Sequence, residues 1–202
     1  MFLNGIDANY VPLMEEVGLR WLNENGEEIN DIFSFLKTKS VNCLRVRIWV
    51  GESGPSRLPY VIKIVKRASK IGFKVQPTIF LSDQWSDLHK QPEPIKWAHL
   101  NLQKKMEQIR VHDIGVTEKI AFIENESAYY QIGNEIDYGI CGIFARDKKR
   151  RRNIEWLKRH IWKKESEILK EAIDAIKVYG CEKPIALHLG KVWDHQLIRS
   201  FM

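Results

Sequence analysis

An apolar strand followed by an amphipathic helix, repeated along the chain, constrains this sequence more than any other feature. Residues 41–50, VNCLRVRIWV, alternate as a strand does, and residues 58–72, LPYVIKIVKRASKIG, place apolar side chains at helical spacing before stopping at Gly72. The next predicted strand is FKVQPTIFL (73–81), in which Pro77, lacking an N–H, has to lie at a bulge or near the strand end. A helical stretch over about 99–124, interrupted at Gly115, leads to the strand AYYQIG (128–133). A long helical stretch over 153–180 then leads to a fifth strand in KPIALHLG (183–190). Ahead of these lie a short first strand in FLNGIDA (2–8), a helical turn ended by Gly18, an Asn-Gly hairpin over 20–29 and a helix over 30–40 capped by Asn30 or Asp31. Such alternation predicts an α/β fold around a parallel sheet. A closed (β/α)8 barrel has eight units and about 250 residues, whereas this chain has 202 residues and five predicted strands. An incomplete barrel, an open sheet and a piece of a longer protein all satisfy that count.

With 44% hydrophobic residues the chain can bury one sizeable core, so residues 1–202 are expected to form a single domain. Its net charge of +6 is concentrated in DKKRRRN (147–153). That run, continued to Lys164 with Trp156 and Trp162 interleaved, suits electrostatic contact with nucleic acid. The simpler alternative, a solvated helix face with its tryptophans turned inward, makes no nucleic-acid partner the expectation. Cys43, Cys141 and Cys181 are odd in number and widely spaced, which suits buried thiols better than a disulfide framework or a zinc site. No cofactor or metal is expected. No stretch approaches the roughly 18 apolar residues of a membrane span, and MFLNGID lacks a secretion-signal pattern. The sequence as written is expected in the cytoplasm, or outside the cell if a leader has been removed.

Residues just past strand ends on one rim of such a sheet are where chemistry is sought. Asn134 and Glu135 follow the fourth strand at once. A carboxyl against an apolar wall can protonate a leaving oxygen, and an amide beside it can bind a sugar hydroxyl. A polar strand-exit loop explains the same two residues without chemistry. Arg45 and Arg47 share one face of a strand that should be apolar on both faces, so each must meet a carboxylate or a ligand, with Glu135 one candidate partner. The loop SDQWSDLHKQPEPIKW (82–97) is too long for a simple connector; its Asp83 and Trp85 suit a sugar's hydroxyls and face, or else a capped loop with a packed indole. His188 ends the fifth strand with the same rim geometry.

Taken in order, GIDANYVPLMEEVGLRWLNENGEE, LRVRIWV, the frame of Ser82, Asp83, Trp85, Asp87, Lys90 and Gln91, then QIGNEI and LHLG, resemble glycoside hydrolase family 53, the arabinogalactan endo-β-1,4-galactanases, across nearly the whole chain. The resemblance implies a (β/α)8 barrel of which these are the first five units. It also implies cleavage of β-1,4-galactan in pectic side chains with retention of configuration. By the same resemblance Glu135 corresponds to the proton donor and general base, and Asn134 to the neighbour binding the sugar at the cleavage point. Arg47, Asp83, Trp85 and His188 fall among substrate-binding positions, and Arg45 near them in an electrostatic role.

Two departures stand out. Where the family's third strand runs into Asp-Phe-His-Tyr, this chain has Thr78, Ile79, Phe80 and Leu81, and Gln84 replaces an aromatic residue. Each lost polar contact removes about 1–3 kcal/mol of binding or transition-state stabilisation. The family's nucleophile is a Glu ending the seventh strand, and no residue here matches it. The alternative to a galactanase-like hydrolase is therefore a non-catalytic relative acting in carbohydrate binding or assembly, with self-association through open barrel edges.

Overall fold

The computed structural model describes residues 2–123, 127–180 and 183–202; Cys181 lies outside them. Five parallel strands form one sheet in sequence order: β1 (Gly5–Asp7), β2 (Cys43–Ile48), β3 (Lys74–Ile79), β4 (Tyr130–Ile132) and β5 (Ile185–Leu187). Helices cross over between them: α1 (Val11–Glu16), α2 (Ile32–Thr38), α3 (Leu58–Ile71), α4 (Leu102–Ala121), α5 (Lys163–Gly180) and, after β5, α6 (His195–Phe201). Sequential order with helical crossovers is the arrangement of a (β/α)8 barrel, here with five of its strands.

Register explains the arginines. Asp7 lies beside Arg45 and Arg45 beside Gln76, while Arg47, Thr78, Gln131 and Ala186 align across four strands. Laterally aligned residues of a parallel sheet share a face, so one face is polar. The other carries Leu44, Val46, Ile48, Val75, Ile79 and Ile132, all fully buried against the helices. From α3, the residues Val61, Ile64, Val65 and Ala68 meet that apolar face at helical spacing; each buried aliphatic contributes about 1.5–3 kcal/mol.

Some local expectations hold and others do not. Pro77 sits inside β3 opposite Val46. Its missing N–H is tolerated because Val75 pairs with Ser127 and Thr78 with Gln131, three steps against four, which is a bulge on the β4 side. Helix α4 runs through Gly115 unbroken, since one glycine costs only about 1 kcal/mol in a helix held by packing. Asp31, not Asn30, caps α2 by accepting from the Phe33 N–H. The stretch before α5 divides into Ile154–Leu157 and a π-helical turn, Lys158–Trp162. Trp162 is buried as expected, and Trp156 is half-buried, packed against the cluster around Leu157 with His160 stacked on its ring and Arg150 over it. Cys43 and Cys141 are buried. No helix among the described residues is long and apolar enough to cross a membrane.

An unforeseen antiparallel hairpin, Gly139–Ile140 with Ile143–Phe144, follows Glu135. Its turn residues, Cys141 and Gly142, have φ of 52° and 82°, as a two-residue primed turn requires.

Candidate active site

Strand β4 delivers the site through a sharp exit. Gly133 has φ 68°, and a Cβ there would lie 2.4 Å from Ile136 Cγ2, so no other residue fits. Its N–H donates to the Ile79 carbonyl at 2.8 Å. Glu135 then adopts φ 52°, a left-handed conformation that is uncommon for a residue other than glycine and is tolerated where the surroundings hold it. Gln91, buried, supplies that hold. Its side-chain amide donates to the carbonyls of Asn134 (2.8 Å) and Glu135 (3.2 Å).

Asn134, 3% exposed, is oriented by three partners. Its Nδ2 donates to the Ser86 carbonyl at 2.9 Å, while Oδ1 accepts from Arg45 Nη2 at 3.0 Å. His188 Nδ1 lies 2.9 Å from the same oxygen. An amide oxygen can only accept, so Nδ1 carries the hydrogen and Nε2 is the acceptor of a neutral ring. Burial, followed by the Arg45 charge, pushes the His188 pKa below its ordinary value; Glu135 and Asp137 pull the other way.

The arginines of β2 meet Asp7 rather than Glu135. Arg45 Nη1 reaches Asp7 Oδ2 and Arg47 Nη2 reaches Asp7 Oδ1, each at 3.0 Å. Burial lowers the Arg45 pKa and Asp7 opposes it; the guanidinium stays charged at any ordinary pH. The Arg47 guanidinium lies between two aromatic rings, 5.1 Å from the Tyr10 centroid and 5.4 Å from that of Trp85. Both rings are partly exposed on the rim, and Trp85 is steadied by Phe80 and by a bond from its Nε1 to Asp87.

Glu135 itself is held lightly. Its Oε2 accepts from the Leu88 N–H at 3.0 Å. Gly190 lies so close that a Cβ there would come within 3.1 Å of both Glu135 Cγ and the Leu88 side chain. The carboxyl thus has one backbone donor and packs against Leu88 and Gly190.

Of the residues singled out in the sequence, the fold brings Asn134, Arg45 and His188 into one hydrogen-bonded network, with Glu135 tied to Asn134 through Gln91 and with Arg47 and Trp85 adjoining. Asp83 stands apart from that network: its Oδ2 accepts from the Ile95 N–H at 2.8 Å and closes the far end of the loop. Asp7, Tyr10 and Asp137 were not anticipated. Asp137 is fully buried and accepts from the N–H groups of Gly190 and Lys191 at 2.8 and 2.9 Å, tying the exit of β4 to that of β5. Among the described residues no three His, Cys, Asp or Glu side chains gather as a metal site would need.

Comparison with known proteins matches residues 3–202 to Glycosyl hydrolase family 53. An endo-beta-1,4-galactanase of Bacillus subtilis is 32% identical over 150 residues, covering 70% of this chain and 35% of that protein. An arabinogalactan endo-beta-1,4-galactanase A of Aspergillus niger is 30% identical over 139 residues, 67% of this chain and 39% of its own length. Among solved structures, the GH53 catalytic domain of Ignisphaera aggregans superposes with a TM-score of 0.78 at 27% identity, covering 98% of this chain and 56% of that one. A fungal beta-1,4-galactanase structure gives 0.84 at 25% identity, covering 100% and 57%. The chain therefore spans between about a third and somewhat over half of the relatives it matches.

Proposed function

The chain belongs to glycosyl hydrolase family 53, and on that footing we propose that it contributes the acid/base half of an endo-β-1,4-galactanase site. Support comes first from Glu135, a carboxyl on a left-handed strand exit, bonded to one backbone N–H and flanked by Leu88 and Gly190. In this reading Glu135 protonates the glycosidic oxygen of a β-1,4-galactan and, as the carboxylate left behind, then deprotonates the incoming water. Asn134 donates the amide hydrogen not given to Ser86 to a hydroxyl of the sugar being cleaved. Trp85 and Tyr10 offer ring faces to the sugars, and Arg47 between them holds both.

Retention of configuration requires a second carboxylate about 5–5.5 Å from the first. The family resemblance puts it on a seventh strand, and the structure describes five. The activity proposed is that of a barrel in which these units and a nucleophile-bearing unit meet. Reducing-end release from β-1,4-galactan tests it. Glu135→Gln is expected to lower the rate by about 10²–10⁴-fold; a rate unchanged by that substitution removes Glu135 from the role.

One observation favours carbohydrate binding without hydrolysis. Thr78, Phe80 and Leu81, standing where the resemblance places Asp, His and Tyr, offer one buried hydroxyl and two buried apolar side chains in place of three polar groups. Retention on a galactan column with no new reducing ends selects that reading.

A further inference from the structure

The basic run 147–153 is not simply a solvated face. Arg151, on the short helical turn Lys148–Arg151, is half-buried and folds back toward the rim. Its Nε donates to the Ala145 carbonyl at 2.6 Å and its Nη1 to the Leu88 carbonyl at 3.0 Å. The guanidinium also lies over two rings, 4.7 Å from the Phe144 centroid and 5.2 Å from that of Tyr138. Leu88 is the residue whose N–H donates to Glu135 Oε2. The loop after β3 is thus clamped, at the point where it touches the carboxyl, by a side chain from the segment after β4.

We propose that Arg151 is a positioning residue for the acid/base: it fixes Leu88 so that the Leu88 N–H meets the Glu135 carboxylate. The inference rests on the role given to Glu135 under the proposed function, but the contact it concerns exists whether or not galactan is cleaved. A guanidinium suits the task because it is planar and holds several N–H donors in a fixed fork, so two carbonyls of different loops are spanned at once while its face packs on aromatic rings. Lysine at the same position keeps the charge but cannot span both carbonyls. Neighbouring Lys148, Lys149, Arg150 and Arg152 are exposed and carry no such contact to the rim.

The test reads the Leu88 amide directly by nuclear magnetic resonance in the chain as it stands, with Glu135→Gln as the probe of its bond. In the wild type, Glu135→Gln shifts the Leu88 amide resonance. In Arg151→Met that response is expected to disappear, and the Leu88 amide to exchange with solvent about ten-fold faster. Arg151→Lys recovers part of the response, and Lys149→Met leaves it as in the wild type. If the Met variant does not fold, Arg151→Lys carries the comparison. An undiminished Leu88 response in the Arg151 variants, or an equal loss in Lys149→Met, overturns the proposal. A barrel in which these units and a nucleophile-bearing unit meet, showing the coupling yet releasing no reducing ends from galactan, supports the positioning role and defeats the galactanase reading. Hydrolysis with an unmoved Leu88 amide does the reverse.

Discussion

Asn134 and Glu165 are both polar and both buried, 3% and 1% exposed, yet their surroundings are opposite. Asn134, at the rim between β2 and β5, has its amide oxygen approached by Arg45 and His188 and its nitrogen bonded to Ser86. Glu165, on α5, has no partner for either carboxyl oxygen among the described residues. It lines a groove of about 380 Å³ with Trp162, Leu169, Ile173, Leu187 and Phe201, beside the half-buried outer strand β5. Asn134 is thus satisfied by groups from neighbouring strands, whereas Glu165 meets none among the described residues, in common with a few other buried polar atoms such as Arg47 Nε and Asp113 Oδ2. The Asn134 network is therefore formed among residues of this chain, while Glu165 faces a groove beside β5, the outer strand of the described sheet.

The sharpest way to break that contrast is at Asp7, whose two oxygens are shared by Arg45 and Arg47. Asp7→Ala leaves Arg47, 6% exposed, and Arg45 without their carboxylate. Stranding buried charges costs about 3–5 kcal/mol, and because Asp7 is itself about one-third exposed the lower end, about 3 kcal/mol, is expected in urea denaturation. Arg45 would also release Asn134, so the Asn134 network and stability should be lost together. A loss below about 1 kcal/mol would mean that the rim is not held by this triad.

At the other edge the sign reverses. Burial, reinforced by the Asp137 carboxylate, raises the Glu165 pKa well above its ordinary value, so the folded chain keeps this group protonated while the unfolded chain ionises it. Protons are then lost on unfolding, and stability falls as pH rises above the ordinary carboxyl value of about 4.3 toward the higher folded value. Glu165→Leu removes both the unpaired oxygens and the pH dependence. A gain of about 1–2 kcal/mol at pH 7 is expected, shrinking toward pH 4. Urea midpoints at the two pH values decide it; a loss at pH 7 would show Glu165 to be satisfied, and the contrast with Asn134 false.

How much of this was legible depends on whether the information is local. Five strand–helix units were readable because side-chain period is a property of a few adjacent residues, and Glu135 because it follows a strand exit directly. Arg45 and Arg47 announced themselves as misplaced charges on a buried strand. Their partner Asp7 did not, since pairing across 38 and 40 positions is set by register, which no local pattern encodes. Asp137 was hidden for the same reason: it looks like a loop carboxylate until β5 brings two backbone N–H groups to it. Arg151 was submerged in a run of like residues, where composition cannot single out the one that turns inward.

The smallest effect lies at His188 and tilts opposite to Glu165. Its pKa is lowered, first by burial and then by the charge of Arg45, so the unfolded chain takes up a proton near pH 6.5 while the folded chain does not. Stability should therefore drop as pH falls below about 6.5 toward the lower folded value, with a slope of at most about 1.4 kcal/mol per pH unit, and less because the ring is half-exposed and screened. Protonation at Nε2 leaves the Nδ1 bond to Asn134 in place and sets a second cation beside Arg45, so the cost is electrostatic rather than a lost hydrogen bond. His188→Gln should flatten the acid limb of a stability–pH curve and leave the limb governed by Glu165 unchanged. An acid limb that survives His188→Gln would place its origin elsewhere; two limbs that respond separately would show the rim and the groove beside β5 to be electrostatically independent.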